Sequence, residues 1–333
     1  MIKKTLYALL LVVLVAAPFV GVYPVFVMKV LCFALFASAF NLLIGYTGLL
    51  SFGHAAFLAS AGYTTGYLIK TYGLTPELGV LAGTLVALVL GLVAGVFAIR
   101  RQGIYFAMVT LALAQLLYFI FLQAPFTGGE DGLQGVPRGR LFGVLDLGSD
   151  LTLYYVVLVV VALAFGLIVR IVHSPFGQVL TAIRENEGRA ISLGYRSDAF
   201  KLLAFVLSAG LAGLAGALKT LVLGFETLGD GHWTMSGLVV LMTLVGGMGT
   251  LFGPLVGALV IVALEDRLGD IGNGLASVTG VDAFRSLGDS VTTVTGLIFI
   301  VCVLAFRRGI VGEVVARVRI LDSGVQGVTK EHG

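Results

Sequence analysis

Charge is scarce in this chain. Asp, Glu, Lys and Arg make up 12% of its 333 residues, against 58% hydrophobic residues and a mean hydropathy of +1.05. So little charge excludes a water-soluble globule. Apolar runs of about 18 residues or more recur instead, which reads as a polytopic helical membrane protein. Cysteine is also sparse. Cys32 and Cys302 both sit inside apolar runs, with no metal-type spacing and no sign of a disulfide framework, and read as small buried hydrophobes. Acidic residues are missing from the interiors of these runs, since Glu77, Glu226, Glu265 and Asp266 all fall at their ends. Ion-coupled carriers place such groups deep, so this absence argues against self-energised transport and leaves His54 as the one deep titratable group. A nucleotide loop is lacking as well. GLAGALKT, Gly213 to Thr220, has Leu218 where a glycine should let phosphate approach the backbone before the lysine, and no strand precedes it.

What is present is a succession of spans, near 5–21, 24–45, 49–70, 77–99, 103–122, 151–173, 200–223, 236–250, 253–267 and 290–306. The expected fold class is all-α, a polytopic integral membrane protein of about ten transmembrane helices with a cytoplasmic coupling helix. One membrane domain, 1–306, is followed by a tail, 307–333, that holds a short amphipathic patch and no readable chemistry. The pair 236–250 and 253–267, joined by GTLFGP, reads either as two short helices or as a broken hairpin buried in protein, where such backbone is tolerated. Lys3 and Lys4 before TLYALLLVVLVAAP suit a cleaved signal peptide or an uncleaved first span. The next apolar run follows at once, which favours the span. With the N-terminus inside, fourteen of the 21 basic residues fall in inner segments, and Glu130, Asp131, Asp146, Asp150, Glu226 and Asp230 fall outside. The positive-inside rule then puts both termini in the cytoplasm and loop 123–150 on the outer side.

Between the sixth and seventh spans lies TAIRENEGRAISLGYRSDAFK, where Arg184, Glu185, Glu187, Arg189, Arg196, Asp198 and Lys201 crowd together. Seven ionised residues at about 3 kcal/mol each would cost roughly 20 kcal/mol in lipid, so the stretch belongs in water. Ser174 and Pro175 suit an N-cap and first turn, and Gly194 suits a left-handed helix end. Leu180, Ile183, Ala190 and Leu193 follow at near-helical spacing, giving a short amphipathic helix with a bend at Gly188 and the next span capped by Ser197 or Asp198. Such a stripe fits a partner's groove as well as a membrane surface.

The richest polar cluster within apolar sequence is GYTGLLSFGHAAF, 45–57, with Tyr46, Thr47, Ser51 and His54, and Asn41 just upstream. A glycine-interrupted span whose freed backbone groups face a cavity makes a substrate path. Small-residue packing, with Ser and His bonded across a bundle, is the alternative. Ser51 and His54 share a helical face, yet no acid in the span orients the histidine and no nucleophile elbow is present, so a hydrolase is not expected. The external loop FTGGEDGLQGVPRG, 126–139, reads as a contact for a delivering protein or as a solvated connector.

GRAISLG, 188–194, is similar to the coupling motif of ABC importer permeases: Glu-Ala-Ala, three residues, then Gly. Gly188 and Arg189 replace its first two residues, so Gly194 is the firmer match. SPFGQVLTAIRENEGRAISLGYRSDAFKLLAFVLSAGLAGLAGAL resembles the LivM-type permeases of the branched-chain amino acid transporters. So do NLLIGYTGLLSFGHAAFLASAGY, GIYFAMVTLALAQ, TGGEDGL and VGGMGTLFGPLVGA, together covering most of 38–265. The final span departs from the family's pattern, ending AFRRGIVG without a proline before Arg-Gly. The resemblance implies a bacterial inner-membrane importer for leucine, isoleucine and valine, related permeases carrying urea, amides or aromatic acids. The implied partners are a second, LivH-like permease chain, two cytoplasmic ATPases, a periplasmic binding protein and the lipid bilayer, with no cofactor, no metal and no nucleic acid. It assigns ATPase coupling to Arg184, Glu187, Gly188, Ala190 and Gly194 within the cytoplasmic loop 174–199. Asn41, Tyr46, Thr47, Ser51 and His54 remain the candidate translocation path.

Overall fold

The computed structural model describes residues 12–21, 23–279, 296–297, 300 and 309–313. The expected first span, 5–21, is helical over 12–20, and the expected span 290–306 and the tail lie largely outside the described residues. Proline opens and glycine closes the first long helix, α1 (Pro24–Thr47), through Pro24 and a left-handed Gly48. Then come α2 (His54–Tyr72), α3 (Pro76–Ala98) and α4 (Ile104–Gln123). A small hairpin follows, β1 (Arg140–Leu141) against β2 (Leu145–Asp146), in antiparallel register. Next are α5 (Asp150–His173), the short α6 (Pro175–Glu185) and α7 (Glu187–Ser192), then α8 (Ser197–Leu223), α9 (Trp233–Gly246) and α10 (Gly253–Thr279).

Helices α1, α3, α4, α5 and α8 are each long and apolar enough to cross a membrane. Their burial separates them into two classes. Of an 18-residue apolar stretch in each, 89% is buried inside the chain in α1 and 72% in α8, against 28% in each of α3, α4 and α5. The first two are the core and the other three are rim helices. Leu78, Leu81, Leu85 and Leu92 of α3 are exposed along one stripe, the face a membrane would cover.

Lipid tails are as apolar as leucine, so helices in a membrane associate by close packing and hydrogen bonds rather than by escape from water. Small residues on α8 supply that contact. A Cβ on Gly216 would stand 2.1 Å from the Leu58 carbonyl oxygen of α2, and one on Gly213 would stand 2.2 Å from Ala87 Cβ of α3. The GLAGAL stretch is therefore a packing seam in mid-helix.

Two boundaries differ from the sequence expectation. The third expected span, 49–70, does not begin at 49. Residues 48–53 form no helix and turn back into the bundle, so that His54 at the start of α2 reaches Ser208 at 2.8 Å. Ser208 lies about 16 Å along α8 from its start, at about 1.5 Å per residue, so α2 begins deep inside the protein. The 236–267 pair is one helix of 14 residues and one of 27, joined by a turn at 247–252. A second irregular segment, 224–232, descends from the opposite end until Gly231 packs against Ala59 and Phe121.

Candidate translocation and coupling site

The buried irregular segment has to satisfy its own backbone. It does so with hydroxyls from three directions. Thr110 Oγ1 of α4 accepts from Phe52 N–H at 3.2 Å, Ser236 Oγ of α9 accepts from Ala55 N–H at 3.0 Å, and Ser51 Oγ accepts from Gly53 N–H at 3.2 Å. Irregular backbone is tolerated within a bilayer when protein groups take over from water in this way.

His54 is fully buried, and its hydrogen bonds fix its tautomer. Ser208 Oγ donates to the Ala39 carbonyl at 2.6 Å, so its lone pair receives the proton of His54 Nε2. Nδ1 is then the bare nitrogen and has no hydrogen-bond partner among the described residues. Phe40, Phe57 and Phe205 stand edge-on around the ring at centroid distances of 5.1, 5.7 and 6.0 Å. One neutral imidazole thus pins α1, α2 and α8 together. Ser51, bonded to Gly53, and His54, bonded to Ser208, do not form a nucleophile–base pair.

Asn41 faces the other way. Its Oδ1 accepts from Gly249 N–H at 2.9 Å and its Nδ2 donates to the Thr250 carbonyl at 2.8 Å, clasping the α9–α10 turn to α1. Thr47 is buried and donates to the Leu42 carbonyl at 3.4 Å, and Tyr46 is half-buried beside it. Asn41, Tyr46 and Thr47 therefore gather at the C-terminal end of α1, whereas Ser51 and His54 lie deeper.

The charged stretch is two helices. Ser174 Oγ accepts from Gly177 N–H at 3.3 Å and Pro175 opens α6, as the sequence predicts. The break falls at Asn186 rather than Gly188. Asn186 is extended and its side chain accepts from Arg189 N–H at 2.9 Å, capping α7. The asparagine wins because it can both leave the helix and restart it. At the far end Gly194, at φ +90°, donates to Ile191 O while Tyr195 N–H reaches Ala190 O, a Schellman closure. Arg196 is the N-cap residue of α8, without a side-chain cap, in place of the expected Ser197 or Asp198.

The expected apolar stripe is spent within the chain. Leu180, Ile183 and Ala190 are buried, and among the stripe residues Leu193 is exposed. The outward apolar surface is instead Ile191 (54% exposed), Leu193 (71%) and Tyr195 (43%). Glu187 also turns inward, paired with Lys201 at 2.5 Å and receiving Gln102 Nε2 at 3.3 Å. Gly188 is exposed on the outer side of α7. Arg184 donates to the Gly45 carbonyl at the end of α1.

A third cluster was not legible as a site. Lys219, placed at a span end by hydropathy, is buried and pairs with Asp230 at 2.6 Å and Glu226 at 3.2 Å. Thr220 Oγ1 donates to Glu226 at 2.6 Å, while Glu226 Oε1 and the buried Tyr63 hydroxyl have no hydrogen-bond partner among the described residues. Burial pushes the Glu226 carboxyl up to about 8, against the pull of Lys219. The loop 126–139 closes over this cluster: Leu133 and Glu226 exchange backbone bonds at 2.9 Å, and Leu133 and Val136 are buried. The available signal was a lysine late in an apolar run followed closely by two acids.

A cavity of about 310 Å³ opens between α1 and α5, lined by Leu31, Leu35, Val161 and Phe165. Its walls are almost wholly apolar, unlike the polar clusters above.

The family model described as a branched-chain amino acid transport system permease component matches residues 25–303. The high-affinity branched-chain amino acid transport system permease protein LivM of Salmonella typhimurium is 29% identical over 296 residues, spanning 81% of this chain and 69% of that protein. The autoinducer 2 import system permease protein LsrC of Yersinia pseudotuberculosis is 28% identical over 224 residues, spanning 63% of this chain and 61% of that protein. Among solved structures, PsaBC from Streptococcus pneumoniae in complex with Fab superposes with a TM-score of 0.41 at 17% identity, over 84% of this chain and 89% of that one.

Proposed function

Since the chain belongs to the family of branched-chain amino acid transport permease components, we propose that it is a membrane subunit of a bacterial ABC importer for leucine, isoleucine and valine. In this reading it forms half of the path beside a LivH-like second permease, in the inner membrane with both termini cytoplasmic. A periplasmic protein delivers substrate and two cytoplasmic ATPases supply the energy.

The observation that carries the reading is the knob formed by α7. Ile191 at the end of α7, and Leu193 and Tyr195 in the turn that closes it, project from a unit whose other side is locked to the chain by buried Ala190 and the Glu187–Lys201 pair. An exposed apolar patch on a rigid mount suits a hydrophobic groove on a partner. Glu187, Ala190 and Gly194 thus serve coupling by holding the knob, and Gly188 leaves its flank open. In this reading Asn41, Tyr46 and Thr47, at the end of α1, line the path where two chains meet, while Ser51 and His54 set its depth.

The polar clusters do not supply an energy source. The carboxylates of Glu226 and Asp230 face the chain's own Lys219 and threonine hydroxyls. Reconstitution tests the reading. Leucine uptake into proteoliposomes is expected only with the co-purifying ATPase, the binding protein and ATP. Uptake driven by a proton or sodium gradient with this chain alone would overturn it.

A further inference from the structure

Arg184 sits in the last turn of α6, in the most charged stretch of the chain, and although it is exposed its side chain reaches back to the end of α1. Helix α1 ends with carbonyls that no longer find helical partners. Gly48 N–H takes Ile44 O and Leu49 N–H turns to Leu43 O, so the N–H that would have met Gly45 O is engaged elsewhere. Arg184 fills that place by donating from Nη1 to Gly45 O. A guanidinium at a helix C-terminus also meets the negative end of the helix dipole.

One glycine makes room for the arginine stem and a second lies beside its tip. A Cβ on Gly48 would stand 2.9 Å from Arg184 Cγ, so the arginine stem lies flat against that residue. A Cβ on Gly249 would stand 3.5 Å from Arg184 Nη1 and 3.4 Å from Gly45 O. Gly249 is the residue whose N–H Asn41 holds. One side chain of the charged stretch therefore touches, at a single point, both places where the long helices are interrupted: the start of segment 48–53 and the α9–α10 turn.

We propose that Arg184 is the positioning residue that carries movement of the α6–α7 unit into the two helix breaks, and that it is not a contact to a partner protein. This rests on the importer reading above. A rigid unit with an exposed knob at one end and a charge-assisted bond at the other acts as a lever. Its outer anchor, Glu187 on Lys201 and Gln102, lies just past the Asn186 break, so α6 and α7 hold separate anchorages.

The test uses the complete complex in proteoliposomes, reading radiolabelled leucine taken up per ATP hydrolysed. For Arg184→Ala the expectation is normal co-purification of the ATPase at low and high salt, retained basal hydrolysis, and a ratio lowered roughly tenfold or more, as for a lost coupling interaction. Arg184→Gln keeps the stem and an N–H donor but is two atoms too short to reach Gly45, so it should assemble and show the same loss even if the alanine variant fails to fold. Arg184→Lys, which can reach as a single donor, should recover part of the ratio. A Gln variant with a wild-type ratio overturns the proposal, as does salt-dependent loss of the ATPase from either variant, which would make Arg184 a docking residue. Wild-type complex without ATP-driven leucine uptake would instead bring down the importer reading, and this inference with it.

Discussion

Gly194 has φ +90° and open space where a side chain would go. A substitution there meets backbone strain alone. Valine should cost about 1–2 kcal/mol and misdirect the chain between α7 and α8. Gly194→Val is expected to insert and purify normally, yet bind the ATPase weakly. Gly194→Asn, which tolerates this conformation better, should recover most binding. Equal binding by all three proteins in a co-purification assay would mean the Schellman closure does not orient the knob. This glycine was readable because a helix end needs a left-handed residue whatever surrounds it. Arg184 was not readable in the same way. Its neighbours in sequence are charged and suggest water, and only folding brings Gly45 within reach of its long side chain.

At the scale of helices, α8 is held by contacts that leave no room for a methyl group. Gly216→Ala would drive its Cβ to 2.1 Å from the Leu58 carbonyl, a clash with backbone that no rotamer relieves. About 1–3 kcal/mol of destabilisation is expected from such overpacking, seen as an earlier thermal transition in detergent. An unchanged transition would mean α2 and α8 can separate at no cost. Hydropathy located α1, α3, α4, α5 and α8 well, because a span announces itself by length and composition. It ran α2 on from residue 49, since Leu49, Leu50 and Phe52 are apolar in a buried loop as they would be in a helix. For the same reason the pair read at 236–250 and 253–267 has displaced ends, Trp233–Gly246 and Gly253–Thr279: hydropathy measures burial, and a turn enclosed in protein is as buried as a helix. The break at Asn186 was hidden because Gly188 is the stronger helix breaker by propensity, while the capping bond of Asn186 depends on local geometry.

For the molecule as a whole, stability should carry the mark of Glu226. Its folded pKa, raised to about 8, exceeds that of an ordinary carboxyl, so the folded state binds the extra proton. The associated stability is fully present below the ordinary carboxyl range and is lost as pH rises toward 8. Melting temperature in detergent should therefore fall across that window, and Glu226→Gln should flatten the fall. A variant with the wild-type slope would show that Glu226 is ionised in the folded chain. The same cluster bears on how the protein is made. Lys219 travels with its partners, because Glu226 and Asp230 lie on the loop that leaves the same helix. They emerge from the ribosome moments after it, so this span can enter the bilayer without waiting for another. Lys29 has no such escort. Its partner, Asp266, is synthesised 237 residues later. The Lys29–Asp266 bond therefore cannot close until α10 has been made.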